Sequence, residues 1–340
     1  MVRIGIAGIG FMGVTHFRAA KGIEGGKVTA IFTRDPKKLE GDWRSVRGNF
    51  GDAGGLEDLS GIKRYRDLDE MIADPDLDMI DICLPTYLHA DVAVKALLSG
   101  KHVLVEKPIA LSLEDAERMI DASRSSGRKL MVAQVLRFFP QFAFIKEAIE
   151  DGRFGRFLGG HLKRVISRPT WGGDNWFDDP AKSGGPVIDL HIHDADFVQY
   201  MLGMPEKVFA TGISKDGYVQ YLVASYLYEG DGVCITAQSG AIAAQGRPFE
   251  HGYDMYFERA TLQYNSSSVP NVLVITDEGE DRIDVGDRDG FMAEIQYAVD
   301  CIRFDREPEL ISGISARNSL LLCLKAAESV KTGEVVEVKG

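Results

Sequence analysis

A glycine-rich turn near the start of the chain constrains the fold more than any other feature. The apolar stretch VRIGIAG predicts a strand, and the following turn carries Gly8, Gly10 and Gly13 in a G-x-G-x-x-G spacing that leads into a helix. This spacing permits a tight turn at the first glycine, close approach of a pyrophosphate at the second, and close packing of helix on strand at the third. A plain strand–helix turn with incidental glycines is the alternative, but the position directly after a strand favours dinucleotide binding. We predict cofactor contacts at Gly8, Gly10, Phe11, Met12 and Gly13.

Residues 1–136 alternate short apolar strands with amphipathic helices. Strands are predicted at VRIGIAG, KVTAIFT, DMIDICLP, HVLVE and KLMVAQV. A helix that begins with a capping box at Ser112 and Asp115 and ends at Gly127 is one of the helices between them. Strands this apolar, separated by helices, indicate a parallel sheet covered on both faces. These residues are predicted to form an N-terminal Rossmann domain with a doubly wound parallel sheet, in a protein of the α/β class.

Residues 137–340 follow a different pattern. HLKRVIS, KVFATGI, YVQYLVASYLYEG and VCITAQSGAI are longer, alternating stretches with few helices between them, and helices return at about residues 290–303 and 315–331. A period of two is typical of strands with one buried and one solvated face. We predict a C-terminal substrate-binding and oligomerisation domain of the α+β type, with a large, mostly antiparallel open sheet.

Composition excludes some classes of function. The chain has 39 basic and 51 acidic residues and a formal charge of −12, which argues against a nucleic-acid partner. No apolar run approaches the length needed to span a membrane, and the sequence begins directly with a strand, which predicts no signal peptide. The acidic residues Asp74, Asp76, Asp78 and Asp81 alternate with apolar ones and are interpreted as solvated loop positions.

The four cysteines are widely scattered and have no paired spacing for zinc or a redox couple. Cys83 and Cys323 lie in apolar stretches and are interpreted as small core residues in a reducing compartment. No metal site is predicted, and a cytoplasmic location is expected.

The end of the second strand bears on the choice of cofactor. The ribose is read about 20 residues after the glycine loop, and this chain has Thr33 followed by Arg34 there. An acidic side chain would repel a 2′-phosphate, whereas a hydroxyl and a guanidinium would bind it. Asp35 is one position late and is interpreted as a cap for the turn before Pro36. The cofactor is predicted to be NAD(P), with NADP favoured over NAD.

A charged pair ends the strand HVLVE. Glu106 and Lys107 are followed directly by Pro108, at the carboxyl edge of the sheet where ligands of this fold bind. A lysine at that edge can donate to a substrate oxygen and stabilise negative charge on it. An exposed surface pair between Glu106 and Lys107 is the alternative.

A second charged constellation lies in SGGPVIDLHIHDADFVQYMLG. A Gly184-Gly185-Pro186 segment precedes a predicted helix, on which Asp189 and His193 would share one face because they stand four residues apart. His191 would point elsewhere, which disfavours a metal site made of the two histidines. A histidine can exchange a proton near neutral pH and a carboxylate one turn away can orient it. A buried pair within a core helix is the alternative.

Together these segments resemble the glucose–fructose oxidoreductase / inositol dehydrogenase / MocA family of NAD(P)-dependent dehydrogenases. The resemblance covers essentially the whole chain and is carried by GIAGIGFMG, by CLPTYLHADVAVKALLSGKHVLVEKP, by RFFP from Arg137, and by SGGPVIDLHIHDAD. It implies that Lys107 matches the lysine of the Glu-Lys-Pro motif and that Asp189 and His193 match an Asp-x-x-x-His pair. It also implies a Rossmann domain followed by a domain whose open sheet mediates dimers or tetramers. Thr33 departs from the acidic residue that the family often carries, so NAD cannot be assumed.

Further pocket residues follow from the same comparison. LPTYLH resembles the family loop beside the cofactor, which makes Leu84, Pro85, Thr86 and His89 candidate cofactor contacts, with a helix cap as the alternative for His89. Gln134 ends the last strand on the same edge and is expected to face the cofactor and the substrate. Trp176 lies in a loop before the second constellation, where it would stack on a sugar ring or merely anchor the loop. The segments SRPTWGGDNWF and GRPFEHGYDMYF are interpreted as loops that line the pocket.

The predicted function is hydride transfer between nicotinamide C4 and a secondary alcohol or carbonyl of a sugar, polyol or related polyhydroxy compound. His193 would act as general base, Lys107 would polarise the oxygen, and Asp189 would orient the substrate or the histidine. Lys107 could instead make the proton transfer itself, with His193 only positioning. One alternative is a non-catalytic dinucleotide sensor or corepressor, which would not need all three residues. Another is a glycosidase that uses bound NAD as oxidant and reductant in one cycle.

Overall fold

The structure is a computed structural model that describes residues 1–48, 51–168, 179–230 and 232–339. It divides into two compact units. The first is built chiefly from Met1–Val135 and Asp289–Arg317, and the second from the described residues between Leu136 and Arg288 and from Asn318 onward. The predicted boundary after residue 136 stays a prediction, and the first unit also contains a helix from the C-terminal part of the chain. Among the described residues, no helix is both long and apolar enough to cross a lipid bilayer.

The elements of residues 1–135 are, in chain order, β1 (Val2–Ala7), α1 (Phe11–Ala19), β2 (Gly26–Phe32), α2 (Pro36–Leu39), β3 (Lys63–Tyr65), α3 (Leu68–Ala73), β4 (Met79–Ile82), α4 (His89–Leu98), β5 (His102–Glu106), α5 (Leu113–Ser126) and β6 (Leu130–Ala133). Those that follow are α6 (Pro140–Asp151), β7 (Phe157–Ser167), α7 (Pro180–Ser183), α8 (Gly185–Asp189), α9 (Ile192–Leu202), β8 (Lys207–Lys215), β9 (Tyr218–Leu227), β10 (Cys234–Ala243), β11 (Glu250–Phe257), β12 (Thr261–Asn265), β13 (Val269–Thr276), β14 (Gly279–Ile283), α10 (Gly290–Arg303), α11 (Gly313–Thr332) and β15 (Val336–Glu337).

The first unit contains a six-stranded parallel sheet in the order β3-β2-β1-β4-β5-β6. Strands β4, β5 and β6 are almost wholly buried, as expected for strands covered on both faces. Helix α10 contacts α1 and β1. The predicted Rossmann sheet is confirmed. Strand β3 was not predicted, because it has three residues, is largely exposed and therefore shows no apolar run.

Helix α5 follows its predicted limits closely. The Ser112 side chain accepts a hydrogen bond from the backbone N–H of Asp115, and Gly127 ends the helix in the left-handed conformation at φ 65°. Helices α10 and α11 begin and end within two residues of the predicted positions. The ends of α5 are set by local side-chain and glycine chemistry, which the sequence displays directly.

The second unit contains a nine-stranded sheet in the order β14-β13-β12-β11-β7-β10-β9-β8-β15. Strands β7 and β10 pair in parallel, and the other neighbours in this order pair antiparallel. The predicted, mostly antiparallel sheet is confirmed. The interpretation of GRPFEHGYDMYF as a loop is wrong, because Glu250–Phe257 forms β11 between β7 and β12. Its alternation is obscured by Gly252, whose added Cβ would lie 2.3 Å from the carbonyl oxygen of Tyr264.

Candidate active site

The glycine loop between β1 and α1 has a distinct geometric requirement at each glycine. Gly8 has φ +105°, and a Cβ there would lie 2.7 Å from the carbonyl oxygen of Cys83. A Cβ on Gly13 would lie 1.9 Å from the carbonyl oxygen of Gly8, so the helix packs on the turn at a distance that only glycine permits. A Cβ on Gly10 would meet no atom within 4 Å. The space above Gly10 is therefore open, as the approach of a pyrophosphate to the backbone requires.

The start of α1 suits an anion. Gly10 is the N-cap residue, and no side chain caps the helix there. Phe11 and Met12 form its first turn and are half-buried. A helix N-terminus presents N–H groups and a partial positive charge to a ligand. The loop thus fits the phosphates of a dinucleotide.

The end of β2 carries the residues predicted to read the ribose. Thr33 is buried and its hydroxyl accepts a hydrogen bond from the backbone N–H of Asp35 at 3.3 Å, whereas Arg34 is exposed. The Asp35 carboxylate accepts from the backbone N–H of Lys37 at 2.9 Å and caps α2, which confirms the interpretation of Asp35 as a cap.

Lys38 is a residue of this region that sequence reasoning missed. Its ammonium donates to the carbonyl oxygen of Ile9, inside the glycine loop, at 2.8 Å. Burial lowers its pKa, and nearby Asp35 acts in the opposite sense. The sequence DPKKLE displays two adjacent lysines, but only the fold shows that the second one reaches the loop.

The loop after β4 contains the second group of predicted cofactor contacts. Leu84 and Pro85 are half-buried, and Thr86 is buried at the start of a 3-10 turn. His89 is only 1% exposed, and its ring nitrogens lie 2.8 Å from the carbonyl oxygens of Leu84 and Pro108. The alternative that His89 caps α4 is wrong, because Leu88 is the N-cap residue and no side chain caps the helix. His89 joins the loop after β4 to the turn after β5, while its contact with a cofactor stays a prediction.

Glu106 turns inward at the end of β5. Its residue exposure is 6%, its Oε1 lies 3.1 Å from Nε2 of His16, and its Oε2 accepts a hydrogen bond from the backbone N–H of Lys107 at 3.0 Å. The alternative of an exposed pair between Glu106 and Lys107 is therefore wrong. Lys107 is half-buried, and its peptide bond to the buried Pro108 is cis.

A buried polar cluster formed by His16, Asp81, Cys83 and Glu106 lies behind this turn. Nδ1 of His16 lies 2.9 and 3.1 Å from the two oxygens of Asp81 and 3.6 Å from Sγ of Cys83. The interpretation of Asp81 as a solvated loop residue is wrong, because Asp81 belongs to β4 and is 1% exposed. It is wrong for Asp74 too, which is buried and accepts from Lys63 and Tyr65. Burial raises the pKa of the Cys83 thiol, as expected of a core cysteine.

The same cluster has the spacing of a metal site. The donor atoms of His16, Asp81 and Cys83 lie within 4.8 Å of one another. Each of them already has a hydrogen-bonding partner inside the cluster, so the arrangement is complete without an ion.

Gln134 gives independent support for a polar ligand at this edge of the sheet. It directly follows Ala133, which is the register partner of Glu106 on the neighbouring strand. The residue is 2% exposed, and neither its Oε1 nor its Nε2 has a hydrogen-bonding partner among the described residues. Buried amide groups without partners are rare and cost free energy, so Gln134 fits a site whose ligand completes its hydrogen bonds.

In the second unit, Asp189 and His193 do not lie on one continuous helix as predicted. Asp189 is the last residue of α8, and His193 lies in the first turn of α9, with Leu190 and His191 between the two helices. The spacing of four suggested an unbroken helix because no glycine or proline separates the two residues. Both are half-buried. Trp176 lies outside the described residues.

Two buried ion pairs hold α9. Arg164 of β7 donates to Asp194 at 3.0 Å, and Arg137 donates to Asp196 at 2.6 Å. Sequence reasoning missed Arg164 and both aspartates. The period of two in β7 places Arg164 on the buried face with Leu162 and Ile166, but it does not show which carboxylate would pair with a buried arginine.

His191 is fully buried and held by two hydroxyl groups. Its Nδ1 lies 3.0 Å from Oγ of Ser239, and its Nε2 lies 2.9 Å from the hydroxyl of Tyr226. Burial lowers the pKa of His191 to about 4, so the ring is neutral at pH 7. His191 is thus a structural residue. Its ring contacts Ser239 and Tyr226, and it is not part of the predicted pair of Asp189 and His193.

Comparisons with known proteins identify the family. Residues 2–134 match the model of the oxidoreductase family with an NAD-binding Rossmann fold, and residues 142–263 match the C-terminal domain model of the same GFO/IDH/MocA family. The chain belongs to this family. It is 28% identical to myo-inositol 2-dehydrogenase from Thermotoga maritima, over 99% of both chains. It is 30% identical to the uncharacterized oxidoreductase YrbE from Bacillus subtilis, over 75% of this chain and 70% of the relative.

Solved structures show the same fold. A levoglucosan dehydrogenase in complex with NADH and L-sorbose superimposes with a TM-score of 0.85 at 19% identity, covering 100% of this chain and 99% of the other. The family assignment and this similarity confirm the resemblance inferred from the sequence motifs. The chain is an oxidoreductase of this family with an NAD-binding N-terminal domain.

Proposed function

We propose that the protein is an NAD(P)-dependent dehydrogenase that acts on a secondary alcohol of a sugar, polyol or related polyhydroxy compound. Relatives named myo-inositol 2-dehydrogenase, inositol 2-dehydrogenase and 1,5-anhydro-D-fructose reductase support this class of substrate. The proposal rests on the groups that lie at the carboxyl edge of the first sheet. There an open glycine loop, Lys107 and the buried amide of Gln134 follow the ends of strands of one sheet.

The residues of the first unit fit a dinucleotide. The uncapped first turn of α1 and the open space at Gly10 would receive the pyrophosphate, and Gln134 would complete its hydrogen bonds with the cofactor or the substrate. When bound, the nicotinamide would accept a hydride at C4. These contacts stay predictions until a complex is measured.

The roles of the protein groups follow from their chemistry. Lys107 donates to the substrate oxygen and stabilises the negative charge that develops on it as the hydroxyl proton is removed, before the hydride leaves the carbon. His193 removes the hydroxyl proton, and Asp189 orients the substrate or the histidine. The positive charge of Lys107 gives the same electrostatic stabilisation that a metal ion gives in other dehydrogenases.

The residues after β2 favour NADP over NAD. Thr33 and Arg34 bring no negative charge to the ribose position, and Lys38 adds an ammonium at the glycine loop. A 2′-phosphate would be attracted by the two cations and could accept from the threonine hydroxyl.

Two further features complete the proposal. A homodimer or homotetramer would form through the open face of the nine-stranded sheet. We also propose a cytoplasmic location, which suits the four free cysteines.

A reaction without net oxidation is the second candidate. A relative 29% identical over 62% of this chain and 53% of its own is the 2,7-anhydro-N-acetylneuraminate hydratase of Escherichia coli, and hydration changes no oxidation state. A cofactor that is reduced and reoxidised within one cycle would give such a reaction on a glycoside as well. The sensor or corepressor alternative has no support from the names of these relatives.

A substrate screen separates these functions. Polyols, aldoses and their anhydro derivatives are offered with NAD or NADP, and formation of the reduced cofactor is followed by absorbance. Net reduction that depends on one class of substrate supports the dehydrogenase. Product formation with tightly bound cofactor and no net reduction supports the second candidate, and cofactor binding without any turnover supports the sensor.

A further inference from the structure

A histidine with no role in the proposed reaction is buried directly behind the Lys107 turn. His16 of α1 is 0% exposed, and its ring lies between the carboxylates of two neighbouring strands. Nδ1 lies 2.9 Å from Asp81 of β4, and Nε2 lies 3.1 Å from Glu106 of β5. This places one imidazole between two buried acids.

The contact with Glu106 is electrostatic. Nε2 makes no well-directed hydrogen bond, yet a carboxylate oxygen stands at ion-pair distance from it. A neutral imidazole has one N–H, so it would present a bare acceptor nitrogen to one of the two carboxylates. Buried charges are stable only when paired, and the doubly protonated ring pairs with both. Burial acts to lower the pKa of His16, but the charge of Asp81, the interaction with Cys83 and the hydrogen bonds to both together outweigh it, and the pKa is raised well above its ordinary value.

Glu106 transmits this contact to the backbone of the proposed catalytic turn. While Oε1 faces His16, Oε2 accepts the backbone N–H of Lys107 at 3.0 Å. A carboxylate that could rotate freely would not hold that N–H in place. The ring of His16 thus fixes one end of the group whose other end binds Lys107.

We infer that His16 is a positioning residue, which as an imidazolium between Asp81 and Glu106 holds the Glu106 carboxylate and through it the backbone at Lys107. The effect on catalysis rests on the proposed function, whereas the effect on the backbone does not. The ring of His16 also lies near the thiol of Cys83, 3.6 Å from Nδ1, and near the ring of Phe291 on α10, whose centroid is 6.3 Å away.

Two measurements that need no substrate test the anchoring. In protein labelled with 15N-histidine, the His16 signals are assigned by their loss in His16→Gln, and both ring nitrogens are expected to carry protons at pH 7. In amide hydrogen exchange, Lys107 is expected to exchange at least about tenfold faster in His16→Gln, while Ile80 in the core of β4 keeps its rate. A neutral His16 ring, or unchanged protection of Lys107, would overturn the inference.

His102→Gln is the matched control. His102 lies on the same strand β5 at its other end, and its Nδ1 accepts a backbone N–H from Lys129 at 3.1 Å. The glutamine can keep an acceptor there, so the exchange of Lys107 should stay at the wild-type rate. Equal acceleration in both variants would show general loosening of the sheet and overturn the specific role of His16.

Kinetic measurements then test whether the contact between His16 and Glu106 affects turnover. With the substrate found in the screen, His16→Gln should lower kcat by about tenfold or more and change the Kd of the cofactor by less than about threefold. The double variant His16→Gln/Glu106→Gln should lose little more than either single variant, because both act through one contact. A wild-type kcat in His16→Gln overturns the catalytic part. A wild-type enzyme that turns over no polyol refutes the proposed function. The hydrogen-exchange result then decides alone whether His16 holds the backbone at Lys107.

A substitute variant and a metal analysis also test the inference. If His16→Gln does not fold, Glu106→Gln is examined instead, and the Lys107 amide is expected to exchange at least about tenfold faster while Ile80 keeps its rate; unchanged protection of Lys107 overturns the inference. Metal analysis of the purified protein is expected to find less than a tenth of an equivalent of zinc. A stoichiometric metal ion that is lost in Cys83→Ser would overturn the inference, because His16 would then be part of a metal site and not an imidazolium.

Discussion

Gly10 and Gly13 stand three residues apart in the same loop, yet they differ in what a side chain would meet. An added Cβ meets nothing within 4 Å at Gly10 and lies 1.9 Å from a backbone carbonyl at Gly13. One position is therefore open for a ligand, and the other is closed by the protein itself. The sequence motif predicted this difference, with close approach of a pyrophosphate at Gly10 and close packing of the helix at Gly13.

We expect opposite results from substitutions at these two glycines. Gly10→Val should keep the fold and abolish dinucleotide binding, because the side chain fills the space reserved for the pyrophosphate. Gly13→Ala should destabilise the protein by about 2 kcal/mol or more, because the backbone must move to relieve the contact. Calorimetric titration with the cofactor and chemical unfolding of each variant measure the two effects. Wild-type cofactor affinity in a folded Gly10→Val protein would contradict the binding site.

We also expect single residues to decide the cofactor preference. Thr33→Asp/Arg34→Ala should weaken NADP and spare or improve NAD, since removing one charge-assisted hydrogen bond to the 2′-phosphate costs on the order of 2 kcal/mol. Lys38→Ala should also weaken NADP, because its ammonium lies at the glycine loop. Lys37→Ala is the control, as an exposed neighbour on the same helix. Titrations of each protein with both cofactors give the result, and a wild type that prefers NAD by about tenfold contradicts the preference.

At the scale of elements, α9 is held by buried ion pairs rather than by apolar contacts alone. Asp194 and Asp196 both face inward from this helix and pair with Arg164 and Arg137. Ser239 donates to Asp194 at 2.8 Å and also contacts His191. The helix whose first turn contains His193 is thereby fixed in rotation against β7 and β10.

Breaking one of these pairs should cost far more than breaking an exposed one. Asp194→Asn removes a charge opposite buried Arg164, and we expect a loss of about 3 kcal/mol or more in the free energy of unfolding. Asp91→Asn, which removes the exposed partner of Arg118, should cost less than about 1 kcal/mol. Urea denaturation of both variants provides the comparison. Equal small losses would mean that the pair at α9 contributes no more than a surface contact.

The elements also show where prediction from sequence stops. Apolar runs, the glycine spacing and the caps of α5 were predicted correctly, because each is a pattern within about fifteen residues. The contacts of His16 with Asp81 and Glu106 were not, because they depend on which strands become neighbours in the order β1-β4-β5. The break between α8 and α9 was missed for a related reason, since Leu190 and His191 carry no local signal of a helix end.

At the scale of the whole molecule, buried neutral histidines should make stability depend on pH. Burial lowers the pKa of His191 to about 4 and that of His251 to about 3. In the unfolded chain the pKa of these rings is about 6.5. Between about pH 6.5 and the pKa of the folded state, the unfolded state therefore binds more protons than the folded state. The stability that these two rings contribute is therefore fully present above about pH 6.5 and is lost as the pH falls toward 4.

A variant isolates one of these contributions. At pH 5, His191 should account for a loss of about 2 kcal/mol relative to pH 7. His191→Asn should lower stability at pH 7, because the contacts with Ser239 and Tyr226 change, and should reduce the slope between pH 7 and 5. Urea denaturation at several pH values measures that slope. An unchanged slope would show that His191 is already protonated in the folded protein.

We propose above that Lys107 stabilises charge on the reacting oxygen of a polyhydroxy substrate. The direct test of this role is kcat and cofactor affinity for Lys107→Met, measured on one folded preparation with the substrate found in the screen. We expect kcat to fall by about 100-fold or more with little change in the Kd of the cofactor. His193→Ala should act similarly, and the double variant should lose less than the product of the two single effects. A Lys107→Met enzyme with near wild-type kcat would contradict the catalytic role of Lys107.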